Sequence, residues 1–404
     1  EITWRDWSSD VCSSDLDILI VDDNERESPG GAVYYGSAVL RRLGLSVGVF
    51  TRGAEEDFHY LDELLDLGID ITAQAADESS GCVNIYQSAD MERRICKLNG
   101  FAGEIPLESI PEDLSAKVIM ITPIIAGEIT LPTLIELAKR APIALDVQGF
   151  VRVPEGKDLN FRPWPDMVEG LKHVTYLKVD RAEAEHLTGQ TDLEEAARIL
   201  AGYGPKEIIL TQSDGVLVYA DGQFYRGPFT PRSLDGRTGR GDTCITSYVG
   251  ARLTHSPAEA ARIAGIVTTM KQEKHGPWDG TIDPERFDPT VVYGAAGPFD
   301  AAASERGTLD IVRLSTKETG RADAGNASVP EASRAESSIP KYTPNLERIS
   351  YAIPDRTDEA SPSFLEKRAG DSDNKPMIWI LAAAALLVLA MLCGCLALYL
   401  ISRH

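Results

Sequence analysis

The 404-residue sequence is short of positive charge: 40 lysines and arginines face 62 aspartates and glutamates, a formal net charge of −22. A nucleic-acid surface needs a basic patch for phosphate contacts, so that class of partner is excluded first. The six cysteines, at positions 12, 82, 96, 244, 393 and 395, include no C-x-x-C pair and no zinc spacing. A reduced, intracellular setting is therefore the simpler expectation. Charge is missing altogether from 377–401. About 20 apolar residues span a bilayer, so a C-terminal transmembrane helix is expected there. Lys367, Arg368 and Lys375 precede it, which fits positive-inside placement and a cytoplasmic domain anchored to a membrane. Aromatic residues are scarce in 299–376, where alanine, serine, glutamate and proline dominate. Such a composition cannot bury enough surface to offset ordering entropy, and a disordered linker is expected.

What remains is long enough for one large domain or two ordinary ones. Residues 1–16 are set aside as an adapter-derived artefact, because 6–16 match the translation of a widely used sequencing-library adapter. On that reading the folded domain covers 17–298 and is truncated at its N-terminus, without a first core strand. Short apolar runs then alternate with helical patterns. Strand candidates are Ile18–Val21, Ser46–Thr51, Val118–Thr122, Ile143–Val147, Val174–Val179, Ile208–Thr211 and Val216–Tyr219. Thr191-x-x-Glu194 and Ser256-Pro257-x-Glu259 read as helix starts. Strands alternating with helices predict an α/β fold: a doubly wound, mostly parallel sheet with helices on both faces. The runs at 17–22 and 81–101 read as strands of a small β lid beside it.

The chemistry concentrates in Asp235-Gly-Arg-Thr-Gly-Arg-Gly-Asp-Thr-Cys244, which leads into the apolar-periodic segment 245–253. Glycines before a helix start expose backbone amides to an anion, and the helix dipole adds positive potential. A carboxylate there repels phosphate, so Asp242 makes sense as a base for an attacking hydroxyl. The plain alternative is an aspartate that only caps the helix.

This loop resembles the D-T-x-G-A-G-D signature of the ribokinase-like (PfkB) carbohydrate kinases. Ser-Pro-Gly30-Gly31-Ala-Val-Tyr-Tyr35 looks like that family's N-terminal Gly-Gly motif, Asp180-Arg-Ala-Glu183 like its N-x-x-E, and Thr211-Gln-Ser213-Asp-Gly215 like part of its T-x-G-x-x-G. Asp146-Val-Gln-Gly-Phe-Val-Arg152 is similar to a run in the family's myo-inositol kinase-like branch. The resemblance implies ATP-dependent transfer of the γ-phosphate to a hydroxyl of a small sugar or cyclic polyol, with Asp242 as base. The amides of Gly239, Arg240, Gly241 and Asp242 would form the anion hole. Thr211, Ser213 and Gly215 would face the nucleotide, and Asp180 with Glu183 would hold Mg2+ through water. Gly30, Gly31 and Tyr35 would bind the acceptor, and Asp146 with Arg152 is expected as a structural pair. The sequence departs from the family at Arg240, Gly236, Asp180, Ser213 and Tyr35. A nucleoside acceptor, a membrane-tethered binding protein without turnover, and a homodimer through the lid stay open.

Overall fold

The computed structural model describes residues 7–11, 15–21, 24–86, 94–112, 114–294 and 297, with the backbone of 309–312. Ten strands form the main sheet. From edge to edge they are Gln223–Pro228, Gly215–Ala220, Glu207–Gln212, Val174–Asp180, Ile143–Asp146, Ala116–Ile121, Trp7–Val11, Val47–Ala54, Asp70–Ala76 and Leu309–Val312. All neighbouring pairs run parallel except the two that join the first three strands, which are antiparallel. Each of the seven core and lid runs expected from hydrophobicity lies within or overlaps a strand.

Apolar side chains fill both faces of this sheet. On one face Val49, Ile71 and Met120 pack with Leu40, Ile245, Val249, Ile263 and Val267 from the helices Gly31–Arg42, Arg240–Arg252 and Pro257–Gln272. On the other, Ile119, Leu145, Leu177 and Leu210 pack with Leu134 and Leu200 from Leu131–Ala138 and Leu193–Ala201. The two-sided burial is the doubly wound arrangement expected. A second sheet, Arg152–Glu155, Asp158–Phe161, Arg94–Gly100, Gly81–Tyr86, Asp15–Val21 and Asn24–Gly30, supplies the lid.

Local signals explain several helix starts. Ser256 and Glu259 form a reciprocal capping box, with Pro257 at the first helical position. The neighbouring expectation is shifted by one residue: Asp192, not Thr191, caps the helix at 193, accepting from the amides of Glu194 and Glu195. Aspartate is the stronger N-cap, so it wins over the adjacent threonine.

Two segments outside the expected 17–298 domain lie in strands of the main sheet. The central slot between Val47–Ala54 and Ala116–Ile121 is filled, by Trp7–Val11, which runs parallel to both. A backbone of any composition without proline can supply ladder hydrogen bonds, so Trp-Ser-Ser-Asp-Val occupies a place that usually reads as an apolar run. Within the expected linker, Leu309–Val312 adds a parallel strand beside Asp70–Ala76. Among the described residues no helix is long and apolar enough to cross a membrane; the 377–401 segment lies outside them, as does the rest of 313–376.

Candidate active site

The helix Arg240–Arg252 begins at Gly239, whose φ of 79° lies in the left-handed region. A Cβ at Gly239 would stand 2.3 Å from the Tyr35 ring, so both the backbone sign and the space demand glycine. The first helical bond runs from the Thr243 amide to the Gly239 carbonyl at 2.9 Å, and Asp242 sits in the first turn. First-turn amides have no intrahelical acceptor and face the helix mouth. Of the four amides expected in the anion hole, that of Arg240 is taken up, donating to the Arg237 carbonyl at 3.2 Å. Gly239→Ala is expected to lower both thermal stability and turnover, by roughly 1–3 kcal/mol in folding for the strained φ alone. A denaturant titration with a parallel rate assay checks this.

Beside the hole lies a buried group of four charged side chains. Lys178 and Asp146 are register partners on adjacent parallel strands, and Lys178 Nζ is 2.8 Å from Asp146 Oδ2 and 3.5 Å from Glu183 Oε2. Arg152 Nη2 lies 3.8 Å from Glu183 Oε1. Each of these side chains is at most 6% exposed. Burial works against the charge on Lys178, but Asp146, Glu183 and Asp180 outweigh it and hold the ammonium protonated. Burial, with Asp180 adding to it, pushes the Glu183 carboxyl up. The same ammonium is 3.5 Å from where a Cβ of Gly241 would be, which places a fixed cation against the first turn of the 240–252 helix. The expected pair Asp146–Arg152 is thus joined through Lys178 and Glu183.

The geometry agrees with comparison at the level of whole proteins. A family model described as pfkB family carbohydrate kinase matches residues 13–278. The chain belongs to the pfkB family of carbohydrate kinases. A pyrophosphate-dependent kinase of the ribokinase family, solved with a pyrophosphate analog and myo-inositol, is 31% identical with a TM-score of 0.62, covering 67% of this chain and 97% of the other. The cytidine kinase of Thermococcus kodakarensis is 28% identical over 285 residues, 66% of this chain and 96% of that protein. Ribokinase of Arabidopsis thaliana, complexed with ribose and ATP, shares the fold at 18% identity and a TM-score of 0.53, covering 69% and 97%.

In this carbohydrate kinase the remaining expected site residues fall into two groups. Asp180 and Thr211 are register partners at the carboxyl ends of neighbouring strands, where open α/β sheets bind ligands. Ser213 is exposed in the turn that follows. Gly215, in contrast, is required by packing: a Cβ there would stand 2.7 Å from the Gly227 carbonyl oxygen. Asp180 and Glu183 close a reciprocal capping box, the Glu183 amide donating to Asp180 Oδ1 at 2.8 Å and the Asp180 amide to Glu183 Oε2 at 2.7 Å. Glu183 therefore faces inward to Lys178 and Arg152, so the expected Asp180–Glu183 pair does not turn both carboxylates toward one ion. Among the described residues no group of three His, Cys, Asp or Glu could hold a metal ion. A hydrated Mg2+ carried by donor phosphates needs only one or two carboxylates, and Asp180 fits that demand.

At the acceptor end, Gly30 closes a lid strand and caps the helix that Gly31 opens with φ 64°. Tyr35 does not line an open pocket in this arrangement. It is 2% exposed, its ring lying beneath Gly239. The lid contributes buried Asn84, whose Oδ1 accepts from Cys96 Sγ at 3.3 Å, and Arg152 Nη1 lies 3.8 Å from the same sulfur. A polar line thus runs from lid to hole.

Sequence reasoning passed over Lys178 and Lys271 as functional side chains. The available signal was a lysine inside the apolar run Val174–Val179 in one case, and a lysine directly after the apolar stretch Ile263–Met270 in the other. Lys271 is 1% exposed, and burial pulls its pKa from 10.5 down to about 7, Asp242 acting in the opposite direction. The unfolded chain keeps that proton to higher pH. The folded state therefore bears the full penalty below about 7, and the penalty shrinks as pH rises toward 10.5. Over that window Lys271→Met is expected to flatten the rise in melting temperature, as scanning calorimetry at stepped pH would record.

Proposed function

We propose that this kinase moves the terminal phosphoryl group of ATP or pyrophosphate to a hydroxyl of a small sugar or cyclic polyol. The observation that carries this is Asp242 in the first turn of a helix entered through Gly239, with the Lys178 ammonium against Gly241. In the step, the acceptor O–H bond breaks and its proton passes to Asp242. The oxygen forms a bond to phosphorus as the bond to the leaving phosphate breaks. The helix start and Lys178 face the charge on the transferring group, where fixed dipoles act without reorganisation. Magnesium, brought by the donor and held through water at Asp180, would neutralise further phosphate charge.

The polyol reading is supported by the Asp146–Arg152 run and by the relative that was solved with myo-inositol. That relative uses pyrophosphate, and the guanidinium groups of Arg237 and Arg240 in the loop suit a compact polyanion. A nucleoside acceptor is the second reading, favoured by the similarity to a cytidine kinase. The test is a matrix of acceptors (cyclitols, hexoses, nucleosides) against ATP and pyrophosphate as sole donors, with phosphorylated product read by mass spectrometry. A cyclitol product is expected. Turnover confined to nucleosides would replace the first reading by the second. Membrane attachment through 377–401 is a separate proposal, and release of the full chain by carbonate washing would overturn it.

A further inference from the structure

Lys271 is a buried charge that the phosphoryl-transfer step above does not use. It lies in the last turn of the Pro257–Gln272 helix, and neither of its neighbours carries a charge. Its Nζ donates to the Gly236 carbonyl at 2.5 Å and stands 4.6 Å from the centre of the Tyr35 ring. A buried ammonium without a carboxylate bonded to it is unfavourable in itself. Both of its partners, however, border the anion hole. Gly236 opens the loop that runs to Asp242, and the Tyr35 ring is the floor under Gly239. The other polar group of Gly236 is fastened to the same helix end, its amide donating to the Gln272 carbonyl at 2.8 Å. A Cβ on Gly236 would fall 1.7 Å from the Lys274 carbonyl oxygen, so the contact is as close as a backbone allows. The ammonium thus sits where the loop's first residue, the floor of its glycine turn and the electrostatic reach of Asp242 converge.

We propose that Lys271 is a positioning residue for phosphoryl transfer: its ammonium is a built-in cation that fixes the 236–242 loop through the Gly236 carbonyl and the Tyr35 ring. In doing so it balances the charge of Asp242 and of the incoming phosphate, as Lys178 does against Gly241. The cation, held by the folded protein up to about pH 7, is kept at the expense of folding stability, a common trade at active sites. The proposal rests on the reading of Asp242 as base.

The test uses the full chain with Lys271→Met, Lys271→Ala and, as control, Asp242→Asn. Lys271→Met is expected to lower kcat about 100-fold, the effect of a slight misplacement of reacting groups, with the acceptor KM nearly unchanged. Its melting temperature should equal or exceed that of the wild type, because methionine fills a similar volume without an ammonium to desolvate. In Lys271→Ala, added ammonium or methylammonium chloride should restore at least part of the lost kcat, with sodium chloride at equal ionic strength inactive. A kcat close to wild type in Lys271→Met, with Asp242→Asn inactive, overturns the proposal and leaves the base in place. Loss of stability in both Lys271 variants without any response to ammonium overturns it too, because Lys271 is then purely structural. An active Asp242→Asn enzyme removes the underlying reading instead.

Discussion

Asp242→Asn is expected to abolish nearly all turnover, lowering kcat about 1000-fold while donor and acceptor KM values change little. Asparagine preserves size and the position in the first helical turn, so the loop has no steric reason to move. What it removes is the acceptor for the hydroxyl proton. A neutral residue also relieves the repulsion between a carboxylate and the entering phosphate, so donor affinity should hold or improve. Folding stability should change by less than about 1 kcal/mol, the usual worth of one acid near a helix N-terminus. The checking measurement is acceptor-dependent product formation under saturating donor, run with a melting curve on the same preparation. Turnover within about tenfold of the wild type would take Asp242 out of the role of base and leave it as a cap.

Lys178→Met carries the largest expected effect on folding. Lys178, Arg152, Asp146 and Glu183 form a buried set of two cations and two carboxylates. Removing one cation leaves a carboxylate in the interior without compensation, which costs about 3–5 kcal/mol in comparable sites. For a domain of this size that is on the order of 10 °C in melting temperature. The double substitution Lys178→Met with Glu183→Gln should recover part of the loss, because the uncompensated charge goes with it. Turnover should fall in both variants, since the ammonium also borders Gly241 in the hole. A melting temperature unchanged in the single variant would mean that solvent or a shifted proton replaces the cation, and the closed four-charge set would have to be abandoned.

The parts of the site that were legible beforehand are those whose chemistry is local. Gly239, Gly241 and Asp242 lie within four residues, and a helix start imposes its geometry on neighbours in sequence whatever the surroundings. Asp180 and Glu183 were legible as a pair and ambiguous as to role. An N-cap with its third residue and two carboxylates one turn apart share the same spacing. Lys178 and Arg152 decide between them by drawing Glu183 inward. Tyr35 was placed beside a ligand because it lies in the Gly-Gly motif; the packing of helices 31–42 and 240–252 puts its ring under Gly239 instead.

The lid strands show the same division. Gly81–Tyr86 and Arg94–Gly100 form the expected antiparallel pair, a local event. The pairing of Asp15–Val21 with Gly81–Tyr86, in parallel, crosses some sixty residues of chain and depends on where the main sheet delivers both segments.

By itself, then, the sequence determined the doubly wound class, some of the helix starts, and the glycine turn with an acid in the helix it opens, because periodicity and capping act over a few residues. The tertiary structure alone decided which cations stand under that turn. Lys178 reaches Asp146 across 32 residues and Lys271 reaches Gly236 across 35. An ammonium inside an apolar run has no visible partner until the sheet and the 257–272 helix bring one within hydrogen-bonding distance.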